Sequence, residues 1–122
     1  FEYIVNRIVL LISAKDIKDD ETVTYVSVME PYTGMSKING ISRIDTGCDR
    51  NVVLRINLSD GRYDCIVLLD PDGPQKQVSF QMEDQTIACD MQAAILRFSS
   101  DGKLLEVRKD KGTFVAVNGM NL

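Results

Sequence analysis

At 122 residues the chain has room for one domain, and its 44% hydrophobic and 26% charged residues suit an ordinary globular protein. Fourteen basic residues against eighteen acidic ones leave a net charge of −4. The basic residues are scattered, which excludes the concentrated positive field of a sequence-independent nucleic-acid binder. Histidine is absent, and with it the commonest general base, the commonest metal ligand and every Ser–His or Cys–His nucleophile.

The chain opens at Phe1, not at Met, and reads as a processed product or a piece of something longer. Residues Tyr3–Ser13 hold the longest apolar run, Ile8 to Ile12, far short of the ~20 residues a membrane helix needs. Ile4, Ile8, Leu11 and Ile12 would also suit a helix face, but the density of Val and Ile favours a strand. A charged stretch, Lys15–Glu21, separates it from a second β-branched segment, Thr22–Glu30.

Alternation then becomes the dominant signal. Val52, Leu54, Ile56 and Leu58 share one face of an extended segment, with Val53, Arg55 and Asn57 opposite. Asp60-Gly61 follows, and Tyr63, Cys65, Val67 and Leu69 alternate in turn. Residues 51–58 and 62–69 are thus expected to pair as a hairpin through a type I′ turn, with positive φ at both central residues. The turn Asp70-Pro71-Asp72-Gly73-Pro74 leads to Val78, Phe80 and Met82. Ala94, Leu96 and Phe98 run into Ser99-Ser100-Asp101-Gly102, and Leu105 and Val107 return. Asp110-Lys111-Gly112 turns the chain into Thr113–Val117, and Asn118-Gly119 marks one more turn. Eight or nine short strands without a helix predict a single all-β domain, an antiparallel β-sandwich over residues 1–122.

Candidate chemistry is sparse. Cys48, Cys65 and Cys89 cannot all pair and show no CxxC spacing, so they read as buried free thiols on strands. No glycine-rich phosphate loop occurs. The acidic clusters Asp16, Asp19, Asp20, Glu21 and Asp70-Pro71-Asp72-Gly73 carry only part of a calcium pattern. Asp64, Asp70, Glu83 and Asp84 are the acids from which a paired-carboxylate hydrolase would be drawn, and solvated turn residues are their simpler reading. Tyr3, Tyr25, Tyr32 and Tyr63 are the side chains able to act as a phenolate base or to stack on sugars. The residues themselves assign no catalytic, cofactor-binding or metal-binding position, and no cofactor.

Two segments carry a resemblance. Tyr25-Val26-Ser27-Val28-Met29-Glu30-Pro31-Tyr32-Thr33-Gly34, followed by Ile38, Ile41 and Arg43, resembles the F-V-S-V-L-E-P-Y-x-G strand and turn of heparinase II/III-like polysaccharide lyases, near their C-terminal end. The stretch from Ala94 to Leu104, then Gly112-Thr113-Phe114-Val115-Ala116-Val117-Asn118-Gly119, is similar to their closing hairpin and G-T-x-L-x-V-D-G segment. Between them, Leu58 to Asp64 matches a middle hairpin in kind and position.

The resemblance implies a C-terminal β-sandwich domain in a longer enzyme that cleaves uronic-acid polysaccharides by β-elimination, with its catalytic groups upstream. It implies the catalytic domains of the same protein as partners, with acidic polysaccharide as a further one, a periplasmic or secreted location, and no nucleic acid or membrane. A stand-alone carbohydrate-binding module and a structural or adhesion sandwich are the alternatives.

Overall fold

The structure, a computed structural model, describes residues 24–122. The expected strand Tyr3–Ser13, Tyr3 itself and the cluster from Asp16 to Glu21 lie outside the described residues.

Alternating aliphatic residues punctuated by Asp-Gly and Asn-Gly turns build two antiparallel sheets, with no helix among the described residues. One sheet holds β1 (Ile38–Ile44), β2 (Val52–Leu58), β3 (Tyr63–Leu68), β6 (Ala93–Phe98) and β7 (Leu104–Asp110), in the order β1-β2-β3-β6-β7. The other holds β4 (Val78–Met82), β5 (Gln85–Cys89), β8 (Val115–Val117) and β9 (Met120–Asn121), in chain order. The fold is the expected sandwich. Its core joins Tyr63, Cys65 and Val67 of β3 and Leu96 and Phe98 of β6 to Phe80, Ile87, Cys89 and Val115 of the facing sheet. Each fully buried aliphatic or aromatic side chain there contributes about 1.5–3 kcal/mol by leaving water.

The hairpin of β2 and β3 forms where expected, but its turn differs and the difference has consequences. Only Gly61 has positive φ (89°); Asp60 does not. Gly61 N–H donates to Leu58 O (3.0 Å) and Leu58 N–H to Arg62 O (2.8 Å), a type I turn closed by a left-handed glycine bulge. Asp60 secures it by accepting from Arg62 N (3.1 Å) and Arg62 Nε (2.7 Å).

A type I′ turn would have placed Leu54, Ile56 and Leu58 opposite Val67, Cys65 and Tyr63. The three-residue loop instead sets Val53 against Val67, Arg55 against Cys65 and Asn57 against Tyr63. A one-residue slip exchanges the two faces of a strand. The face of β2 with four aliphatic residues therefore turns away from the core.

The β6–β7 turn repeats this geometry: Gly102 N–H donates to Ser99 O (3.0 Å), and Gly102 has φ of 87°. A bulge after Arg97 pushes the expected inward Leu105 out to solvent and lets Leu104 pack on the core instead. Asn118-Gly119, with φ of 51° and 81°, is the true type I′ turn, both central residues adopting the left-handed region that asparagine and glycine tolerate.

Other expectations are corrected. Residues 24–30 of the expected strand Thr22–Glu30 form no strand. No described strand pairs with them, and β-propensity without a ladder leaves the backbone to water. Strand β5 was not anticipated; Glu83-Asp84 joins it to β4 with positive φ at Glu83 alone (55°), a type II′ pattern. Thr113 and Phe114 precede β8 instead of belonging to it, since Asp90 takes their N–H groups at 2.8 Å each.

Cys65 and Cys89 are buried free thiols on strands, but Cys48 lies half-buried in the loop before β2. Burial pushes the Cys65 thiol up to about 12. A maleimide reagent is expected to label one thiol in the native protein, at Cys48, and three after denaturation, countable by mass spectrometry.

Candidate functional site

The slip in β2 creates an outer face on the five-stranded sheet that is unlike a plain solvated surface. One rung across the strands reads Ile41, Ile56, Asp64, Arg97, Glu106, and the next Arg43, Leu54, Ile66, Ile95, Arg108. Alternation aims these side chains away from the core.

At the centre Arg97 grips Asp64 with two parallel hydrogen bonds, Nε to Oδ1 at 2.7 Å and Nη2 to Oδ2 at 2.8 Å. This fork geometry is among the stronger charge-assisted contacts. The hydrogen bonds to Asp64 hold the Arg97 guanidinium above its ordinary value. Beside the pair a hollow of about 200 Å³ has Ile66 and Ile95 as its apolar lining and Glu106 and Arg108 at its margin. A second hollow of about 580 Å³ shares Asp64 and Arg97 and runs to Ile38, Ile56 and Leu58, with Glu30, Lys37, Asp60 and Arg62 around it.

The charges of this face largely cancel. Arg97 holds Asp64, Arg62 holds Asp60 (2.7 Å) and Arg108 holds Glu106 (2.8 Å). A polyanion cleft needs cations free to meet carboxylates or sulfates, and these three guanidiniums already carry partners. An aliphatic patch with paired arginines instead suits contact with another protein surface, where interface centres are apolar and arginine is enriched.

The acids singled out in the sequence are not brought together. Asp64 sits on the outer face with Arg97. Asp70 accepts from Arg50 Nε (2.7 Å) and from Asp72 N (2.9 Å), so both its oxygens are engaged, one by Arg50 ahead of β2 and one within its own turn. Glu83 pairs with Arg55 (2.7 Å) at the end of the sandwich, and Asp84 is exposed beside it. Among the described residues no group of three or more Cys, Asp or Glu is placed to hold a metal ion.

Tyr25 and Tyr32 are exposed, at 57% and 59%, outside the strands. Tyr63 is buried, stacked on Phe98 at 5.1 Å between ring centroids and capped by the Arg55 guanidinium 4.1 Å above its ring. Burial raises its phenol further from the range of a base at neutral pH. Among the described residues no partner reaches its hydroxyl. Tyr63→Phe is therefore expected to leave the fold intact and stabilise it by about 1 kcal/mol, read as a higher urea midpoint at unchanged slope.

Acid sensitivity follows from the turn carboxylates. Asp60 is held below its ordinary value of 3.8 chiefly by the Arg62 N–H, Asp70 by the Asp72 N–H and then Arg50, Asp90 by the Thr113 hydroxyl, and Asp101 by the Ser99 hydroxyl. A depressed folded-state value means stability present above the unfolded value and lost as pH falls through the folded ones. The melting temperature is expected to stay level down to about pH 5 and to drop below about pH 4. Asp90→Asn should flatten part of that acid limb in a circular-dichroism series.

Compared with known proteins, the chain matches no family model, no curated protein and no solved structure. Fold and outer face together define the class: an antiparallel β-sandwich whose larger sheet presents an apolar, charge-paired outer surface.

Proposed function

We propose that the chain is a non-catalytic β-sandwich domain from the C-terminal end of a polysaccharide lyase that cleaves uronic-acid polysaccharides by β-elimination. It supports the catalytic domains by docking on them through the outer face of the five-stranded sheet, and lines the substrate cleft with a part of its surface outside that face. The observation that carries the docking role is Ile66, Leu68 and Ile95 displayed around the Asp64–Arg97 pair, where a sandwich standing alone would present polar residues to water. The parent enzyme class is supported by the sequence resemblance, and a periplasmic or secreted location follows from the same class.

The test measures unsaturated-uronate absorbance on heparan, chondroitin and alginate for this chain and for the longer parent, with and without Ile95→Asp. Turnover is expected from the parent alone. Ile95→Asp should lower the melting temperature of the parent while changing the isolated domain by less than about 1 kcal/mol, because Ile95 is already 41% exposed there. Turnover by this chain, or silence of the parent on all three polymers, would overturn the proposal.

A further inference from the structure

Strand β7 forms a rim of the five-stranded sheet, with β6 on one side and, among the described residues, no strand on the other. Which of its backbone groups look outward follows from the ladder. Gln92 N–H donates to Lys111 O (3.0 Å), and bonded and non-bonded pairs alternate along an antiparallel ladder. The pairs bonded to β6 are therefore Ala94 with Lys109 and Leu96 with Val107. The N–H and C=O groups of Glu106, Arg108 and Asp110 point the other way, to the open rim. Such a row of outward groups is a ready template for another strand. Glu106 and Arg108 are both exposed on the outer face, joined by Arg108 Nε to Glu106 Oε1 at 2.8 Å. Among the described residues nothing else takes Glu106 Oε2 or the Nη groups of Arg108.

We propose that this rim pairs with the same rim of a second copy of the chain, β7 antiparallel to β7 about a two-fold axis at Val107. Backbone geometry and charge select that register together. Bonds across the seam need outward groups on both sides, so Glu106 and Arg108 must each face an even-numbered residue of the second copy. One such register sets Glu106 against Glu106. Another sets Arg108 against Arg108 and Glu106 against Asp110. Like charges directly opposite each other destabilise a strand pair. Between these two lies the register centred on Val107, which sets Glu106 against Arg108 and Arg108 against Glu106. Each of these pairs exchanges two backbone hydrogen bonds. The four side chains close a ring of alternating charge, since a guanidinium with five donors can hold its own Glu106 through Nε and the second copy's through Nη. Charges on an edge strand commonly keep other strands away. Here they repel in the neighbouring registers and attract in this one, which makes the rim selective for its own copy. The contact is self-complementary and closes at two chains. The half-buried Val107 side chains meet at the axis on the opposite face, and the two outer faces continue as one surface. A seven-residue seam is a small interface, so monomer and dimer are expected to exchange at micromolar concentrations. This inference stands whether or not the lyase assignment holds.

The test is sedimentation of the full 122-residue chain over a concentration series at low salt, with circular dichroism to confirm the fold of each variant. The chain is expected to dimerise. Arg108→Glu should raise the dissociation constant about tenfold or more, because it sets two pairs of like charges across the seam. Adding Glu106→Arg to that variant exchanges the two signs and should restore the dimer. The doubly substituted chain should not pair with the unsubstituted one, since every cross-strand charge pair would then be alike. Amide hydrogen exchange on the unsubstituted chain reads the seam without any variant. Protection at the Glu106 and Arg108 amides should rise with concentration, while that at Val107, bonded to β6, stays level. A chain that remains monomeric throughout, or a dimer indifferent to Arg108→Glu, would overturn the proposal. So would Glu106 and Arg108 amides protected equally at every dilution, which would assign the rim to another part of the same chain.

Discussion

Gly112→Ala is expected to cost about 3 kcal/mol or more and to lower the melting temperature by about 12 °C. Gly112 lies where the chain leaves β7 and crosses to β8. A β-carbon there would sit 2.6 Å from Met91 Cα and 2.9 Å from Met91 N, inside the backbone of the facing loop. Met91 is itself buried, and Gln92 N–H donates to Lys111 O at 3.0 Å, so neither segment can give way without losing a contact. Gly119→Ala is the control. It occupies a left-handed position with open space around it, so it should lose only about 1–2 kcal/mol of conformational strain. Gly112 itself has no left-handed backbone, so thermal unfolding of both variants separates the two causes; a Gly112→Ala loss no larger than that of Gly119→Ala would show that Met91 gives way to the added β-carbon at little cost.

Phe98→Ala should be similarly severe, at about 3–5 kcal/mol. Phe98 is fully buried on β6, lies opposite Tyr63 in register, and stacks on that ring with an interplanar angle of 16°. Its removal opens a cavity beneath Tyr63, which already carries the Arg55 guanidinium on its ring. Phe98→Leu keeps much of the volume and should cost about 1.5 kcal/mol. Chemical denaturation of the pair measures the difference. If Phe98→Ala proved no worse than Phe98→Leu, the core at this end of the sandwich would have to be able to collapse around the loss.

These effects bear on function through one geometric event. Had Asp60-Gly61 formed the two-residue turn that its sequence suggests, Leu54 and Ile56 would have joined Val67 and Cys65 inside, with Arg55 and Asn57 outside in water. The extra loop residue instead puts Arg55 within the sandwich mouth, where Tyr63 and Glu83 hold it. The aliphatic stripe is then presented on the outer face, next to Asp64 and Arg97.

Much of the fold was legible in the residues. The hairpin of β2 and β3, the strand Val78–Met82, the return after Asp101-Gly102 and the turn at Asn118-Gly119 all follow from alternation and turn chemistry. Strand β5 escaped because Thr86-Ile87-Ala88-Cys89 is short and bounded by acids, with no Gly or Pro to mark its turn. The segment 24–30 misled in the opposite sense: its β-branched residues have the right propensity, but no described strand pairs with them. The candidate site was the least legible. Asp64 and Arg97 are 33 residues apart in the chain, and nothing local announces that β3 and β6 lie side by side.

What the sequence by itself determined is the class: periodicity of two, turns rich in glycine and aspartate, and no residue set for catalysis through histidine. Those properties are local and survive any arrangement of the strands. What only the tertiary structure decided is which face of β2 is inside, which strands are neighbours, and which carboxylate meets which guanidinium. A single loop residue changes the first, and the other two depend on strand pairing between residues far apart in the chain, whose energy exists only once both sheets have formed.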